Sequence, residues 1–515
     1  MIRLAKYGLP IALLASSPWA FSQNIFQKIL PGAWNTWGTC AKNSSSGDLT
    51  FCTWVHDQSA TTGRDILLLS MDEQGDTLWT RAYGSPYDDQ SLSLITTTDG
   101  GYLIAGITNT TGASSGPWRA CVIKTNELGD TLWTKALTGL GYAMALTECD
   151  DGGFLVAGMP GLRMLRLDVQ GDLVWSRLYD HQIPPDFDSQ IETTCVTRST
   201  DNNYFIGGST IYGEIFLCKV SVSGNVIWSK IASVDGGVRQ LEATTDGGLV
   251  LTGYVQSPIA PSWDGMLARM DSSGNAVWSK SFDTGTTNGF NSFTRSSDGT
   301  FALIGGTESA PLDHDAHLLK TDSTGNVMLS RTFGEAYIDY GLSVVEAASD
   351  GYLIVARTST PGVGASTWVI KTDSTGAGDC FQDSVTTIVS DVDLGWWDLP
   401  LQSFSFTCTE YPTGFSVRRG TTILPVCPVG VYEQEQEEPP IRLHPNPAHY
   451  TFTVALAQKE STSTIEIFNS VGDRVLIEKG TSALTAIDCA SLSRGIYLVK
   501  VSSATGTATQ RIVLE

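Results

Sequence analysis

The chain has 515 residues, 41% of them hydrophobic and 17% charged, with a formal net charge of −22. That much apolar material excludes general disorder. The acidic balance excludes nucleic acid and anionic membrane as principal partners, because phosphate binding needs Lys and Arg gathered on one face.

At the N-terminus, Arg3 and Lys6 precede an apolar stretch over 9–15 and a run of small and turn-forming residues over 16–22. This order predicts a secretory signal peptide over 1–22. The stretch is shorter than the roughly 20 apolar residues that cross a bilayer, and no later segment reaches that length, so no transmembrane span is predicted. Ten cysteines occur without a CxxC pair, which argues against a zinc site. In an exported chain, buried thiols with one or two disulfides are expected, a bridge among Cys380, Cys408 and Cys427 first.

From residue 24 the chain repeats. A Gly followed by a bulky apolar residue recurs as Gly75 with Trp79, Gly129 with Trp133, Gly171 with Trp175, Gly224 with Trp228, Gly274 with Trp278 and Gly325 with Leu329. A second phase is an Asp-led turn before an apolar strand, at Asp48, Asp99, Asp151, Asp201, Asp246, Asp298 and Asp350. Each unit of about fifty residues reads as four short strands in two hairpins, since Asp and Gly tolerate positive φ. Four-stranded units at this period predict propeller blades.

The last unit stops near Cys380 without its fourth strand, whereas residues 26–32 match 79–84. An N-terminal strand that supplies the missing one gives an all-β, seven-bladed β-propeller over 24–380. Six blades plus an irregular sheet, or an open solenoid, is the alternative. The tryptophans are expected to lock one blade onto the next, with Phe26 and Leu329 as substitutes. The repeated cations Lys124, Arg166, Lys219, Arg269, Lys320 and Lys371 are read as exposed strand-face charges. So are Arg81, Lys135, Arg177, Lys230, Lys280 and Arg331.

The Asp-x-x-Gly-x-x-x-Trp spacing resembles the tryptophan-docking repeat of pyrroloquinoline-quinone-type propellers and, more distantly, the Asp boxes of sialidases. Such turns are scaffold elements in those families, and the paired cysteines of the quinone enzymes are missing from this sequence. No cofactor is predicted. Calcium finds no support, since the Asp spacing is not that of an EF-hand loop.

Residues 381–430 read as an irregular β extension with a possible disulfide, and 431–441 as an acidic, proline-closed linker. The stretch 442–515 alternates apolar residues with Gly turns and predicts a small C-terminal β-sandwich. Its motifs are Pro445-Asn446-Pro447, a Val-Gly turn at Gly472, and a strand with Gly495, Tyr497 and Lys500. These resemble the C-terminal sorting domain of type IX secretion system cargo in Bacteroidetes-type bacteria. The resemblance implies handling by the type IX secretion machinery and a secreted or cell-surface location, by way of the periplasm. Cys489 departs from the small or polar residue expected there.

On a rigid scaffold, binding concentrates in variable loops. The hairpins within each unit are short and uniform, whereas the links after the second and fourth strands vary. They carry Tyr87, Asp88, Asp89, Trp118, Asp186, Asp188, Trp263, Asp264, Asp313, His314, Tyr337, Asp339 and Tyr340 as ligand-binding candidates. Aromatics interleaved with acids suit glycans. His317 aligns inside a third strand and reads as a core-edge residue. No catalytic residue is identified, since the sequence has neither a nucleophile elbow nor HExxH. The leading reading is a recognition or adhesion module for an extracellular glycan or protein. Its rivals are an enzyme on extracellular polysaccharide using loop carboxylates, and a structural surface-layer component.

Overall fold

The computed structural model describes residues 25–30, 33–34, 41–43, 47–56, 63–109, 118–181, 191–258, 261–296, 298–310, 313–334, 338–348, 350–359, 365–412, 416–418, 424–425, 441–444, 448–456, 463–469, 474–480, 482, 484–503 and 506–514. The signal-peptide, Asp186, Asp188, Tyr337, Pro445–447 and Gly472 expectations lie outside these residues. The chain divides into two compact units, Met1–Cys427 and Pro428–Glu515. Among the described residues every regular element is a β-strand, and the pairing is antiparallel throughout the named strands.

The strands of the first unit pair in sequence order as seven groups of four. Sheet 1 runs from Ala41–Asn43 through Leu49–His56 and Arg64–Met71 to Thr77–Gly84, with Ala33–Trp34 also on its inner edge. Sheet 2 runs from Asp89–Thr96 to Thr131–Leu137, and sheet 3 from Tyr142–Glu148 to Leu173–His181. Sheets 4 and 5 share the long strand Val226–Ala243, whose first half is the outer strand of one and whose second half is the inner strand of the other. Sheet 6 runs from Asn288–Arg295 to Val327–Phe333. In sheet 7, Tyr340–Glu346, Tyr352–Thr358 and Ser366–Lys371 are followed by Phe26–Leu30, in a register from Phe26 against Lys371 to Leu30 against Thr367.

Second and third strands are continuous apolar runs because both faces are covered. Tyr102–Asn109, for example, is buried at every position. Seven apolar clusters fill the spaces between consecutive sheets. One, with Leu30, Leu353 and Val355 against Phe51 and Leu67, joins sheet 7 to sheet 1. Polar groups bridge the same junction: Ala41 N donates to Ser343 Oγ (3.0 Å) and Asn43 Nδ2 to the Glu346 carbonyl (2.7 Å).

In six sheets the aromatic of the outer strand, and in sheet 6 Leu329, lies on the next sheet's turn glycine. Phe26 covers Gly75, Trp79 covers Gly129, Trp133 covers Gly171, Trp175 covers Gly224, Trp228 covers Gly274, Trp278 covers Gly325 and Leu329 covers Gly376. These glycines have φ between 71° and 83°, where L side chains are strained. A Cβ on Gly129 would sit 2.7 Å from the Trp79 ring, so the contact itself also requires glycine. Trp133 and Trp228 further donate their indole N–H to carbonyls of the next sheet, at 3.1 Å each.

The repeated cations are not the exposed strand-face charges expected. Lys124, Arg166, Lys219 and Lys371 are buried. Their heads hold the turn between the first two strands: Lys124 Nζ donates to Asp99 and to the Thr125 carbonyl, Lys219 to Asp201 (2.8 Å), and Lys371 to the Asp350 carbonyl (2.6 Å). The outer-strand set reaches the neighbouring turn instead, Arg81 to Asp130 (3.1 Å) and Lys135 to Asp172 (2.7 Å). Alternation does place these residues on a polar face, but the third-strand cations find partners in the turn of their own sheet, and Arg81 and Lys135 find theirs in the next sheet.

Residues 381–427 form no separate module. The described residues between 381 and 425 add one short antiparallel edge strand to each of the seven sheets, taken in reverse order. Gln382–Ser384 joins sheet 6, Ile388–Asp391 sheet 5, Trp397–Asp398 sheet 4, Leu401–Phe404 sheet 3, Glu410–Pro412 sheet 2, Ser416–Arg418 sheet 1 and Leu424–Pro425 the N-terminal strand of sheet 7. Leu394, Leu399 and Leu401 anchor this belt in the cores. Lys230 pairs with Asp398 (3.0 Å) and Lys280 with Asp391 (2.7 Å) across it. Cys380 is disulfide-bonded to a cysteine outside the described residues, while Cys408 forms no disulfide, which removes Cys408 from the expected bridge.

The second unit pairs a three-stranded sheet with a four-stranded one around Phe452, Val454, Ile465, Ile467, Val499, Val501 and Ile512. Ser463–Phe468 alternates buried and half-buried residues, as a strand with one face on a core must. Tyr497 OH donates to the Ser493 carbonyl (2.7 Å), and Lys500 faces Glu466 at 3.8 Å. Cys489 sits inside this core as a buried free thiol.

Candidate functional site

Six of the seven inner strands break register at an equivalent point, with one extra residue: Leu92, Met144, Thr194, Arg239, Asn291 and Leu342. A bulge turns a carbonyl toward the neighbouring strand. In five sheets the residue facing it is glycine: Gly106, Gly158, Gly208, Gly253 and Gly305. A Cβ there would collide with the carbonyl oxygen of Gln90, Tyr142, Glu192, Gly237 or Gly289 respectively. In sheet 7, Ala356 takes this place. The bulge residues all line one cavity of about 830 Å³, to which the inner strands of all seven sheets contribute.

Architecture alone does not dictate the bulge residue or the one after the facing glycine, and there the sheets diverge. Sheets 2 and 3 carry Leu92, Ile107, Met144 and Met159, whereas sheets 5 to 7 carry Arg239, Tyr254, Asn291, Gly306, Leu342 and Arg357. On that side lies a second cavity of about 240 Å³, lined by Arg239, Tyr254, Trp263, Asn288, Asn291, His314 and Tyr340 among others. It shares Arg239, Asn291 and Tyr340 with the larger cavity. The strand ends that form it are those from which the variable links leave.

Two aromatic pairs build the walls. Trp263 meets Tyr254 edge-on at 5.2 Å, and the Arg239 guanidinium lies 5.1 Å over the other ring of that pair, Tyr254. In the second pair, His314 stacks on Tyr340 at 5.0 Å and 29°. Gly306 makes room for this stack, since a Cβ there would strike the Tyr340 ring. Arg357 faces Tyr340 in register. Asn288 is buried; its Nδ2 donates to the Phe282 carbonyl (2.9 Å) and its Oδ1 has no partner among the described residues.

Of the residues singled out in the sequence, Trp263, His314 and Tyr340 come together here. Tyr87, Asp88 and Asp89 lie at the junction of sheets 1 and 2, where Asp88 Oδ1 accepts from Arg64 N (2.9 Å) and Asp89 from Ser85 N (2.7 Å) and Oγ (2.8 Å). Trp118 starts a strand of sheet 2. Asp264 is buried beside Trp263, and burial pushes its carboxyl up to about 6. Asp313 starts the strand that carries His314, and Asp339 is buried with its amide donating to the His314 carbonyl (2.6 Å). His317 is fully buried, bonded to Ser330 Oγ at 2.8 Å and pushed down to about 3 by burial. Arg239, Tyr254, Asn288, Asn291 and Arg357 were not anticipated, because they stand within strands. Their signal is a departure from the repeat at the bulge.

Among the described residues no cluster of three His, Cys, Asp or Glu side chains suited to a metal occurs. Residues 442–515 match the family described as the secretion system C-terminal sorting domain. The second unit contains that sorting domain. It marks the chain for export through the type IX secretion system, to the cell surface or beyond it. No described helix is long and apolar enough to cross a membrane.

No curated protein matches the chain. Among solved structures it is similar to a protein of unknown function from Bacteroides caccae, at 12% identity over 59% of this chain and 93% of that one, TM-score 0.34. It is also similar to PorZ, a surface component of the type IX secretion system of Porphyromonas gingivalis, at 10% identity over 94% and 75%, TM-score 0.34. A third is the NanB sialidase of Streptococcus pneumoniae, at 10% identity over 67% and 70%, TM-score 0.33. Likeness at these scores carries no inference about function.

Proposed function

We propose that the first unit is a closed seven-bladed propeller acting as an exported recognition module, with the aromatic cavity of sheets 5 to 7 as its saccharide site. Closure is supported by the pairing of Phe26–Leu30 with Ser366–Lys371, by the apolar cluster between sheets 7 and 1, and by the side chain that each outer strand lays on the next sheet's turn glycine, six of them aromatic and the seventh Leu329. The observation that carries the binding reading is the convergence of Trp263, Tyr254, His314 and Tyr340 on one cavity, at positions where the repeat leaves residue choice free. Aromatic faces stack on sugar rings, and the amides of Asn288 and Asn291 suit hydroxyls.

Recognition is favoured over glycoside hydrolysis by the lining. Hydrolysis ordinarily needs two carboxyl groups about 5–9.5 Å apart, and Glu242 is the lone carboxylate among the described residues lining either cavity. A glycan array probed with the full mature chain tests the reading. Binding to a defined saccharide set, lost in Trp263→Ala and Tyr340→Ala, is expected. Identical profiles for wild type and both variants would refute it.

A further inference from the structure

We infer that the site selects a sugar bearing an acetamido group, an N-acetylhexosamine residue, whose amide N–H donates to Asn288 Oδ1 while its methyl group meets the aromatic lining. This rests on the saccharide reading above and adds the substituent that the site reads.

Asn288 is 3% exposed and lines the small cavity. Its orientation is set from behind. The Phe282 carbonyl can only accept, so the amide turns Nδ2 toward it (2.9 Å), and Oδ1 is left as a buried acceptor with no partner among the described residues. Leaving such an oxygen unmet is costly, so the group that fills the cavity should be a donor. The equivalent position, three residues before the bulge, is Asp89 in sheet 2 and Asp339 in sheet 7. A carboxyl can carry a proton of its own, whereas an amide oxygen must take its donor from elsewhere.

The rest of the lining narrows the donor. The rings of Tyr254, Trp263, Phe290, His314 and Tyr340 face the cavity, and no carboxylate does among the described residues. Rings of this kind also suit an ammonium group, but Arg239 lines the same space and no acid is there to balance a second cation. A hydroxyl reaching Oδ1 would bring lone pairs of its own, and the neighbouring Asn291 amide already donates to the Gly341 carbonyl (2.8 Å). An amide N–H only donates, and the acetyl methyl beside it gains from an aromatic surface that would dehydrate a hydroxyl. The cavity, about 240 Å³, falls below the roughly 300–1,000 Å³ of pockets for larger ligands, which limits the occupant to one sugar residue.

The test is calorimetric titration of the full mature chain with disaccharides of N-acetylglucosamine and N-acetylgalactosamine, the same sugars with O-acetyl in place of the acetamido group, and the parent hexoses. The O-acetyl form keeps the carbonyl and the methyl and lacks only the N–H. At least one N-acetyl sugar should bind roughly 10-fold or more tightly than both of its counterparts. Asn288→Ala should bring that sugar to the level of its O-acetyl form. Equal binding of the N-acetyl sugar and either counterpart would overturn the inference and leave the saccharide reading standing. A folded Asn288→Ala variant that keeps the difference would equally overturn it. Absence of binding by every sugar would overturn both readings. The comparison of ligands needs no variant, so it decides the matter even if Asn288→Ala fails to fold.

Discussion

Asp89 and Asp322 answer to pH in opposite directions. Burial raises the Asp89 carboxyl from its usual 3.8 to about 6, so the folded chain favours its protonated form. The stability this contributes is complete below about pH 4 and is lost as pH rises through 6. Desolvation works the same way at Asp322, but hydrogen bonds from Asn326 and Thr324 outweigh it and hold the carboxyl at about 2. Its contribution is present above about pH 4 and lost as pH falls toward 2. His317, held at about 3 by burial, likewise contributes above pH 6.5 and loses that contribution on acidification. Asp89→Asn should therefore melt higher than wild type above pH 6 and converge with it at pH 4, a difference of up to about 3 kcal/mol. Thermal melts across pH 4–8 check this.

The two kinds of tryptophan separate stability from binding. Trp133 is half-buried against Gly171, and Trp133→Ala should cost on the order of 2–4 kcal/mol, discounted from the roughly 3–5 of a fully buried aromatic. Trp263 is 37% exposed and meets Tyr254 edge-on, and Trp263→Ala should cost about 0.5–1.5 kcal/mol, less than Trp133→Ala. Denaturant melts of both variants decide it. The scaffold tryptophans were legible because a contact repeated in every sheet leaves a period in the sequence. Arg239 and Arg357 leave none, since a bulge has no signature of its own beyond the glycine that faces it.

At the scale of elements, the belt is the feature that composition hid. Its strands are two to four residues long, too short for alternation to register. Each of them covers an outer edge that would otherwise be open to pairing with another chain. A chain ending at residue 380 should melt lower than one ending at 427 by on the order of 10 °C and should aggregate more readily. Differential scanning calorimetry and light scattering on the two truncations test it. Equal melting temperatures would mean that the belt adds nothing to the fold. The sorting domain, by contrast, was legible as a sandwich because its strands are long enough to alternate and its core residues fall at every second position.

For the whole molecule, the proposed ring depends on joining its first strand to its last sheet. Residues 26–30 and 367–371 are more than 330 positions apart in the chain, and their pairing could be read only from the missing fourth strand of the final repeat. If the ring is closed, the two segments open together. Hydrogen exchange of the full mature chain, read by mass spectrometry, is the most direct measurement of this. The account predicts that amides in 26–30 and 367–371 exchange slowly and at matching rates, as one cooperative unit. Fast exchange in 26–30 beside protected amides in 367–371 would contradict it.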